Sequence, residues 1–320
     1  KIGVPSHAQT QEWGDYHFAK ALQKEFLRIG HRCRVDILPE WYGKHTIDDD
    51  VVLVLRGLSQ YQPSSEQLNL LWMISHPDKV AAEELNQYNH IFVSSLPYTD
   101  VLADQTATPC STLLQCTDHD LFYPSNPADS DKGTEEVDRI LFVGNSRLQY
   151  RKIVKDAIEA DIDIEVYGSR WDSLIPKRFI GGTHLENSSL RQHYSSAKVL
   201  LNDHWQSMLD NGFISNRLFD AAACGATVVT DQIDGIDEIF LNTLYSYDGS
   251  TKGLKNTIER AIGEKTSKAD ARLKLAEHIR DNHSFRARAQ EIHTLIHSRS
   301  LTGILARGLE QQTCAPGYSE

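Results

Sequence analysis

Short apolar runs that alternate with helical patterns are the feature that most constrains how this chain can fold. Residues 51–55 (VVLVL) form a continuous and mostly β-branched run, which is typical of a parallel strand buried on both faces. Phe18, Leu22 and Phe26 are spaced four residues apart and therefore lie on one face of a predicted helix. Because strands that alternate with helices form parallel, doubly wound sheets, the pattern predicts an α/β fold.

The same alternation extends over most of the chain. In the first half, strands are predicted at 2–5, 33–38, 51–55, 70–74 and 91–94. In the second half, strands are predicted at 139–143, 162–167, 199–201 and 226–230, and helices at 150–160, 190–197, 213–224 and 236–240. Beyond residue 250 the pattern indicates only helices, at about 251–263, 267–281 and 284–306, and then a frayed tail at 308–320.

A polar, turn-rich segment at 123–137 divides this alternation into two halves. With 320 residues, the chain is long enough for two domains of about 150 residues each. We predict a Rossmann-like domain at 1–126, a second at 127–283, and a stretch at 284–320 whose helix crosses back to the first domain before the tail. A ligand is expected in the cleft between the sheets, at the carboxyl ends of their strands.

Charge and composition exclude several classes of protein. The chain has 33 Lys and Arg against 44 Asp and Glu, a net charge of −11, which argues against a nucleic-acid binder because phosphate neutralisation requires a basic surface. It has no apolar run of about 18 residues, so no transmembrane segment is predicted. The five cysteines include no Cys-x-x-Cys pair, which favours a reducing, cytoplasmic setting. A start at Lys1 suggests a processed chain or a part of a longer one.

A group of cations follows the strand that opens the second half. Gly144 is followed by Arg147, Arg151 and Lys152 at a strand-to-helix crossover. Gly144 allows a ligand to approach the backbone closely, and three cations within about six residues suit a diphosphate. The alternative is a solvated, basic helix start. We favour phosphate binding because the crossover faces the predicted cleft.

A second polar group surrounds the predicted helix at 213–224. Asn202 and His204 end a strand, and Asn216, Arg217 and Asp220 lie on the helix. Asn216 and Asp220 are four residues apart and share one helix face. For Arg217 and Asp220 taken alone, a surface ion pair is the default interpretation.

Residues 216–230 (NRLFDAAACGATVVT) resemble the donor-binding segment of glycosyltransferases of the GT-B fold, in which two Rossmann-like domains face each other across a cleft. The resemblance is closest to the branch related to spore maturation glycosyltransferases, near the group 1 glycosyl transferases. The match at 202–225 is quite specific. Shorter matches lie at 13–17 (WGDYH), 74–78 (ISHPD), 116–124 (CTDHDLFYP), 142–147 (FVGNSR) and 282–288 (NHSFRAR).

The resemblance implies a role for each matching residue of the donor site. Asp220 corresponds to the carboxylate that accepts hydrogen bonds from the nucleotide ribose. Arg147 and Arg151, with Lys152 as a competitor, correspond to the cations that hold the donor diphosphate. Tyr167 and Gly168 are expected near the base, and Asn202, His204 and Asn216 on the sugar and phosphate side of the pocket. The remaining predicted donor-binding residues are Gly144, Asn145 and Arg217.

The first domain is expected to hold the acceptor. Asp15 and His17 follow the first predicted strand, and His76 follows the fourth. If transfer inverts the anomeric centre, Asp15 or His17 is the expected general base. If it retains, the departing phosphate takes the proton and His76 helps to position the donor. The alternatives are that Asp15 only caps a helix and that His76 only shapes the turn before Pro77.

The resemblance therefore implies a metal-independent enzyme of the hexosyltransferase type, without a cofactor, that moves a sugar from a nucleotide-diphospho-sugar to a glycan or lipid-linked glycan acceptor. Retention is expected, although Asn211-Gly212-Phe213 stands where many retaining members have Glu-Gly-Phe, with one extra residue in the spacing and Asp210 before it. Asp161 and Asp163 match the metal-binding Asp-x-Asp of another glycosyltransferase fold, but they are expected at the opposite edge of the sheet.

The expected setting is bacterial surface-polysaccharide synthesis, in the cytoplasm or peripherally at the inner face of the membrane, alone or within a larger multidomain glycosyltransferase. Two alternatives stay open. One is a sugar-nucleotide epimerase, which shares the architecture and needs no acceptor. The other is a non-catalytic module of a larger polymerase that binds a sugar nucleotide or a glycan.

Overall fold

Two parallel sheets form the framework of the protein in the computed structural model, which describes residues 1–125 and 137–298. The first sheet has the order β1-β2-β3-β4 and the second has the order β10-β9-β8-β5-β6-β7. The strands are β1 (Val51–Arg56), β2 (Leu68–Met73), β3 (His90–Val93), β4 (Cys110–Thr112), β5 (Val137–Val143), β6 (Ile164–Tyr167), β7 (Ile180–Gly182), β8 (Ala197–Asn202), β9 (Val228–Asp231) and β10 (Tyr245–Tyr247). Every neighbouring pair is parallel, so the predicted α/β class is confirmed.

Helices connect these strands and cover both faces of the sheets. They are α1 (Gly14–Arg28), α2 (Ala82–Leu85), α3 (Leu96–Ala103), α4 (Lys152–Glu159), α5 (Leu190–Ser196), α6 (Gln206–Asp210), α7 (Asn216–Ala223), α8 (Ile236–Ile239), α9 (Thr251–Gly263), α10 (Ala269–Asn282) and α11 (285–298). Within residues 1–125 and 137–298, none of them combines the length and the apolar character needed to cross a bilayer.

The central strand β2 shows why the first sheet has such a continuous apolar pattern. Leu70 and Trp72 pack on the face covered by α1, whereas Leu71 and Met73 pack on the opposite face. All four side chains are fully buried. Successive strand residues point to opposite faces, so a strand covered on both sides is apolar at every position.

Helix α11 packs on the first sheet, although it follows the second in the chain. Ala289 and Ile292 are buried in the same cluster as α1. The rings of Phe285 and Phe18 meet edge to face with their centroids 4.6 Å apart. The chain therefore returns to the first domain after building the second.

The second sheet is covered in the same way on both faces. Leu141 of β5 faces α7 and α10, whereas its neighbour Phe142 faces α4 and α9. The small residues at 221–223 are buried in α7, which lets this helix approach the sheet closely. The carboxyl ends of β5 and β8 are thereby fixed beside the amino end of α7.

Two predicted strands, 2–5 and 33–38, are extended segments without regular strand pairing. The terminal amine of Lys1 donates to the carbonyl oxygen of Leu53 at 2.7 Å, and the N–H of Ile2 donates to the carbonyl oxygen of Asp36 at 3.1 Å. These two segments therefore lie side by side next to β1, but they make few ladder bonds.

The short strands β4, β7 and β10 were not predicted, because three residues are too few to show a period. Most of the predicted linker (126–136) and the end of the chain (299–320) lie outside the described residues.

A buried ion pair joins the end of β1 to α2. Nε and Nη2 of Arg56 donate to the two carboxylate oxygens of Glu84 at 2.7 and 2.9 Å, and only 2% and 3% of the two side chains are exposed. Glu84→Ala leaves a buried guanidinium uncompensated, so we expect the free energy of unfolding in urea to fall by about 3–5 kcal/mol. The matched control Glu159→Ala removes a pair with Lys155 whose side chains are about half exposed and should cost less than about 1 kcal/mol. Equal losses would contradict this assignment.

Candidate active site between the two sheets

Polar loops at the carboxyl ends of the two sheets contact each other across a cleft. His76 follows β2 and Arg147 follows β5, and Nη1 of Arg147 lies 3.2 Å from Nε2 of His76. Beside this contact, the hydroxyl of Ser95 donates to the carbonyl oxygen of Asn211 at 2.6 Å. The carboxyl ends of parallel strands are the usual ligand-binding edge of such sheets. The cleft is therefore the expected ligand-binding site.

A strained loop presents Arg147 to this cleft. Arg147 and Leu148 both have left-handed backbones, with φ of 51° and 61°, and each such residue costs about 1–3 kcal/mol. Ser146 holds the loop, because its hydroxyl donates to the carbonyl oxygen of Arg170 at 2.6 Å and accepts from the N–H of Leu148 at 3.2 Å. Arg147 itself is exposed, and its guanidinium lies 5.4 Å from the ring of Trp205.

His76 is held as a neutral acceptor in the same cleft. A guanidinium only donates, so Nε2 of His76 accepts from Arg147 and the ring proton resides on Nδ1. Nδ1 then donates to the hydroxyl of Ser75 at 2.7 Å. Burial lowers the pKa of His76, and the charge of Arg147 lowers it further. The backbone of His76 is also left-handed, with a φ of 53°.

Asp15 completes this group, whereas His17 does not reach it. Asp15 lies in the first turn of α1, and a Cβ built on Gly57 would lie 3.3 Å from its Oδ2. Burial raises the pKa of Asp15, and Arg147 is close enough to lower it in part. His17 instead donates from Nε2 to the carbonyl oxygen of Gln11 at 2.9 Å. Of the three residues predicted for the acceptor side, the structure brings Asp15 and His76 to Arg147.

The three cations predicted for the diphosphate have different surroundings. Arg151 is 6% exposed and forms a buried ion pair with Asp203, whose carbonyl oxygen it also contacts at 2.7 Å. Lys152 forms an ion pair with Asp156 on its own helix at 2.7 Å. The charges of Arg151 and Lys152 are thus already compensated. Of these three cations, Arg147 is the one that contacts a residue of the first domain, His76.

Gly144 makes room for a protein side chain. A Cβ added to Gly144 would lie 2.9 Å from Nη2 of Arg217, so a larger residue would displace that guanidinium. Nη1 of Arg217 donates to Oδ1 of Asn202 at 3.0 Å. Arg217 therefore packs beneath the loop after β5 instead of forming the ion pair with Asp220 that was the default interpretation.

Asn202 and His204 form buried hydrogen bonds beside the loop that precedes α7. Nε2 of His204 accepts from the N–H of Ser215 at 3.1 Å, and Nδ1 donates to Asp231 at 2.6 Å. The amide of Asn202 donates to Thr230 at 3.0 Å. Both side chains are buried, and both nitrogens of His204 are used within the protein. The structure shows these side chains bonded to other residues of the protein, and their contact with the sugar and phosphates stays a prediction.

Asp220 joins α7 to the segment that connects the domains. Its two oxygens accept from Thr117 at 2.8 Å and from the amide of Asn216 at 2.9 Å. The second bond confirms that Asn216 and Asp220 share one helix face. Burial raises the pKa of Asp220 to about 8, although the Thr117 hydroxyl and the charge of Arg217 lower it in part. Each carboxylate oxygen has a second acceptor position, which leaves capacity for a ribose hydroxyl.

Tyr167 and Gly168, the residues predicted near the base, lie at the end of β6 beside the end of β5. Gly168 has a φ of 146°, and a Cβ there would lie 2.2 Å from the carbonyl oxygen of Gly144, so no other residue fits. Oδ1 of Asn145 accepts from the N–H of Ser169 at 2.8 Å. Tyr167 points away along the sheet, where its hydroxyl donates to Glu165 at 2.8 Å.

Sequence reasoning missed several residues that shape the cleft. Trp205 lies between Arg147 and Arg151, with centroid distances of 5.4 and 4.2 Å. Oε1 of Gln115 accepts from the N–H of Asn216 at 3.0 Å. The signal for Trp205 was its place in the polar run after β8. Nothing in the pattern indicates Gln115, because it pairs with a residue 101 positions away.

Within residues 1–125 and 137–298, one group of side chains has the spacing of metal ligands, where α1 meets the segment that follows β4. Glu25, His119 and Asp120 have ligand atoms within 4.8 Å of one another. Arg28 contacts both carboxylates at 2.7 Å, and Arg286 donates to Nε2 of His119 at 2.6 Å. These cations already occupy the positions that a metal ion would take, so the cluster is a network of ion pairs.

The raised pKa of Asp220 makes stability depend on pH. An exposed Asp has a pKa of about 3.9, so the folded protein, with a pKa of about 8, binds this proton more tightly than the unfolded chain. The stability linked to Asp220 is complete below about pH 4 and is lost as pH rises through about 8. Asp220→Asn cannot ionise, so urea unfolding should show a smaller loss of stability between about pH 6 and 9 than the wild type. The exposed Asp210→Asn is the control, and parallel pH profiles for Asp220→Asn and wild type would refute this interpretation.

Comparison with known proteins agrees with this geometry. The family model for glycosyl transferase-like proteins matches residues 147–294, which include Arg147, the whole of α7 and most of α11. Among curated protein sequences, none matches the chain.

Solved structures share the fold over most of the chain. AviGT4, a glycosyltransferase involved in avilamycin A biosynthesis, is 16% identical with a TM-score of 0.61 over 94% of this chain and 93% of its own. Sucrose-phosphate synthase from Thermosynechococcus elongatus is 17% identical with a TM-score of 0.58 over 74% and 69%. HepE from Anabaena, in complex with UDP-glucose, is 13% identical with a TM-score of 0.58 over 78% and 79%. The chain therefore has the GT-B fold of these structures, and its residues 147–294 match the family model for glycosyl transferase-like proteins.

Proposed function

We propose that this protein is a glycosyltransferase that moves a sugar from a nucleotide-diphospho-sugar to a glycan or glycoconjugate acceptor, and that the donor diphosphate binds at Arg147. The observation that carries the proposal is the strained loop after β5, which holds an exposed guanidinium against His76. Backbone strain persists where the surrounding structure enforces it, and it concentrates at functional sites. A planar guanidinium suits two phosphate oxygens at once.

Arg147 would stabilise the negative charge that develops on the leaving diphosphate, and stabilisation of this electrostatic kind usually contributes most to the rate of such a transfer. Arg217, held by Asn202 at 3.0 Å, adds positive charge beneath the same loop. Arg151 would act indirectly: its guanidinium is held by Asp203 and lies 4.2 Å from the ring of Trp205, which also contacts Arg147. Asp220 would accept from the donor ribose with its remaining lone pairs.

On the acceptor side, the proposal assigns positioning roles to Asp15 and His76. Retention at the anomeric centre is taken over from the family resemblance, and in that case the leaving phosphate takes the proton of the acceptor hydroxyl. Asp15 would then orient that hydroxyl, and its raised pKa would suit a proton acceptor if transfer inverted instead. Synthesis of bacterial surface polysaccharide is likewise taken over from the resemblance.

The decisive test compares Arg147→Ala with Lys152→Ala. Arg147→Ala removes the exposed cation, so kcat/KM for transfer should fall by about 100-fold or more. Lys152→Ala removes a cation already paired with Asp156, so its kcat/KM should stay close to that of the wild type. Arg147 is exposed, so Tm should be unchanged in both variants. Equal losses in the two variants would refute the role of Arg147.

UDP-glucose is the first donor to assay, because HepE binds it, with other nucleotide sugars in parallel. A reaction without acceptor separates the rival activities. Formation of an isomerised sugar nucleotide would favour an epimerase, and binding that raises Tm without turnover would favour a non-catalytic module. The proposal requires product that depends on the acceptor.

We propose that transfer needs no divalent metal, because side-chain cations take the place of a metal at the diphosphate. Asp161 and Asp163 precede β6, whereas Arg147 follows β5, so the Asp-x-Asp pair lies at the opposite end of the sheet. Transfer measured with excess EDTA should therefore keep its rate. Loss of activity in EDTA, restored by Mg²⁺ or Mn²⁺, would overturn this part of the proposal.

A further inference from the structure

Three histidines lie together at the carboxyl end of α1, and we propose that they bind a transition-metal ion of the Zn²⁺ class. His31 follows α1, and His293 and His297 lie on α11. Nε2 of His31 is 2.8 Å from Nδ1 of His293. The ring centroids of His293 and His297 are 4.1 Å apart, and those of His31 lie 5.0 Å from His293 and 6.4 Å from His297. This histidine cluster takes no part in the proposed transfer.

The backbone at the end of α1 fixes the position of His31. The N–H of His31 donates to the carbonyl oxygen of Phe26 at 3.0 Å, and the N–H of Gly30 donates to that of Leu27 at 3.2 Å, which together form a Schellman motif. Gly30 has the required positive φ of 90°. Phe26 is itself buried in the core of the first domain. The ligand at the end of α1 is therefore held by the core.

On α11 the spacing is that of paired metal ligands. His293 and His297 are four residues apart and so share one face of the helix. The same spacing of two histidines on a helix binds zinc in other proteins. Ile292, next to His293, is fully buried against the first sheet, so the helix cannot turn its histidines away without breaking the core.

The three rings can converge on one ion after they rotate. With a metal–nitrogen distance of about 2.1 Å, an imidazole centroid lies about 3.2 Å from the metal, and tetrahedral angles separate two centroids by about 5.3 Å. The observed separations of 4.1, 5.0 and 6.4 Å depart from that value by up to about 1.2 Å. The three histidines are not among the described residues whose ligand atoms all lie within 4.8 Å of one another, so their rings must turn toward one another to bind one ion. The nitrogens of His31 and His293 must separate from 2.8 Å to about 3.4 Å, which small rotations of the rings supply.

The chemistry of the donors selects the metal. His31 and His293 are hydrogen-bonded to each other, so one of the two facing nitrogens carries a proton, and a tautomer shift in that ring turns both lone pairs inward. Neutral imidazoles suit Zn²⁺, Cu²⁺ and Ni²⁺, whereas Mg²⁺ and Ca²⁺ require oxygen ligands. Three protein ligands leave a fourth position for water.

The cluster is separate from the cleft. Helix α1 has 15 residues, with Asp15 in its first turn, and a helix of this length spans about 22 Å. A metal ion bound to His31, His293 and His297 would join the two helices α1 and α11 at the end remote from Arg147. Its expected effect is to stabilise the attachment of α11 to the first domain, with transfer unaffected.

The test uses the full chain without an affinity tag, after dialysis against a chelator. Titration with Zn²⁺ should show saturable 1:1 binding and a rise in Tm, because the ion binds the folded state. Co²⁺ should give the visible absorption of a tetrahedral site, and Mg²⁺ should leave Tm unchanged. Absence of saturable Zn²⁺ binding would overturn the proposal.

Variants distinguish this cluster from adventitious binding to other histidines. His297→Ala removes an exposed side chain and should weaken Zn²⁺ binding at least about tenfold, because loss of a partner outside the ligand shell already costs about 10–100-fold. His31→Ala should do the same. His184→Ala, an exposed histidine of the second domain, should keep the wild-type affinity. Wild-type affinity in both His31→Ala and His297→Ala would refute the assignment.

Discussion

Thr117 connects the two domains through three hydrogen bonds. Its N–H donates to the carbonyl oxygen of His283 at 2.9 Å, its own carbonyl oxygen accepts from Phe285 at 3.0 Å, and its hydroxyl donates to Asp220 at 2.8 Å. Thr117 is fully buried and thus contacts both α7 and the segment in which the chain returns to the first domain. The placement of Asp15 and His76 relative to Arg147 depends on this joint, together with the bonds of Ser95 and Gln115 to the second domain.

Compensation of charge decides which cations of the cleft are available to a ligand. Burying an unpaired guanidinium is costly, and Arg151 avoids this cost through its ion pair with Asp203. Arg147 is exposed, and its hydrogen bond across the cleft is to the neutral acceptor His76. A phosphate approaching Arg147 therefore displaces no carboxylate. The same comparison explains why two arginines four residues apart have different roles in the proposed mechanism.

Sequence reasoning predicted the fold well where burial determines the pattern. β1 and β2 are covered on both faces, so their apolar runs identify them directly. β4, β7 and β10 have three residues each, which is too few to establish a period. The extended segments at 2–5 and 33–38 have strand-like composition, but their few ladder bonds depend on neighbours that are distant in sequence.

The candidate site was predictable only in part, for a related reason. Residue type and position after a strand identified Arg147, His76 and Asp15. Residue type and position do not reveal that Arg151 forms an ion pair with Asp203. They also do not reveal that Asp220 accepts a hydrogen bond from Thr117, which lies 103 residues earlier in the chain. Such pairings arise from the relative placement of the two sheets, which periodicity does not contain.

The return of α11 to the first sheet has a consequence for how the protein is made. Phe285, Ala289 and Ile292 are core residues of the first domain, but a ribosome delivers them only after the whole second sheet. The first domain therefore leaves the exit tunnel with an uncovered apolar face, which persists until α11 has been synthesised. Folding in order of synthesis, the usual sequence for multidomain chains, is reversed here: the domain made second can be completed first.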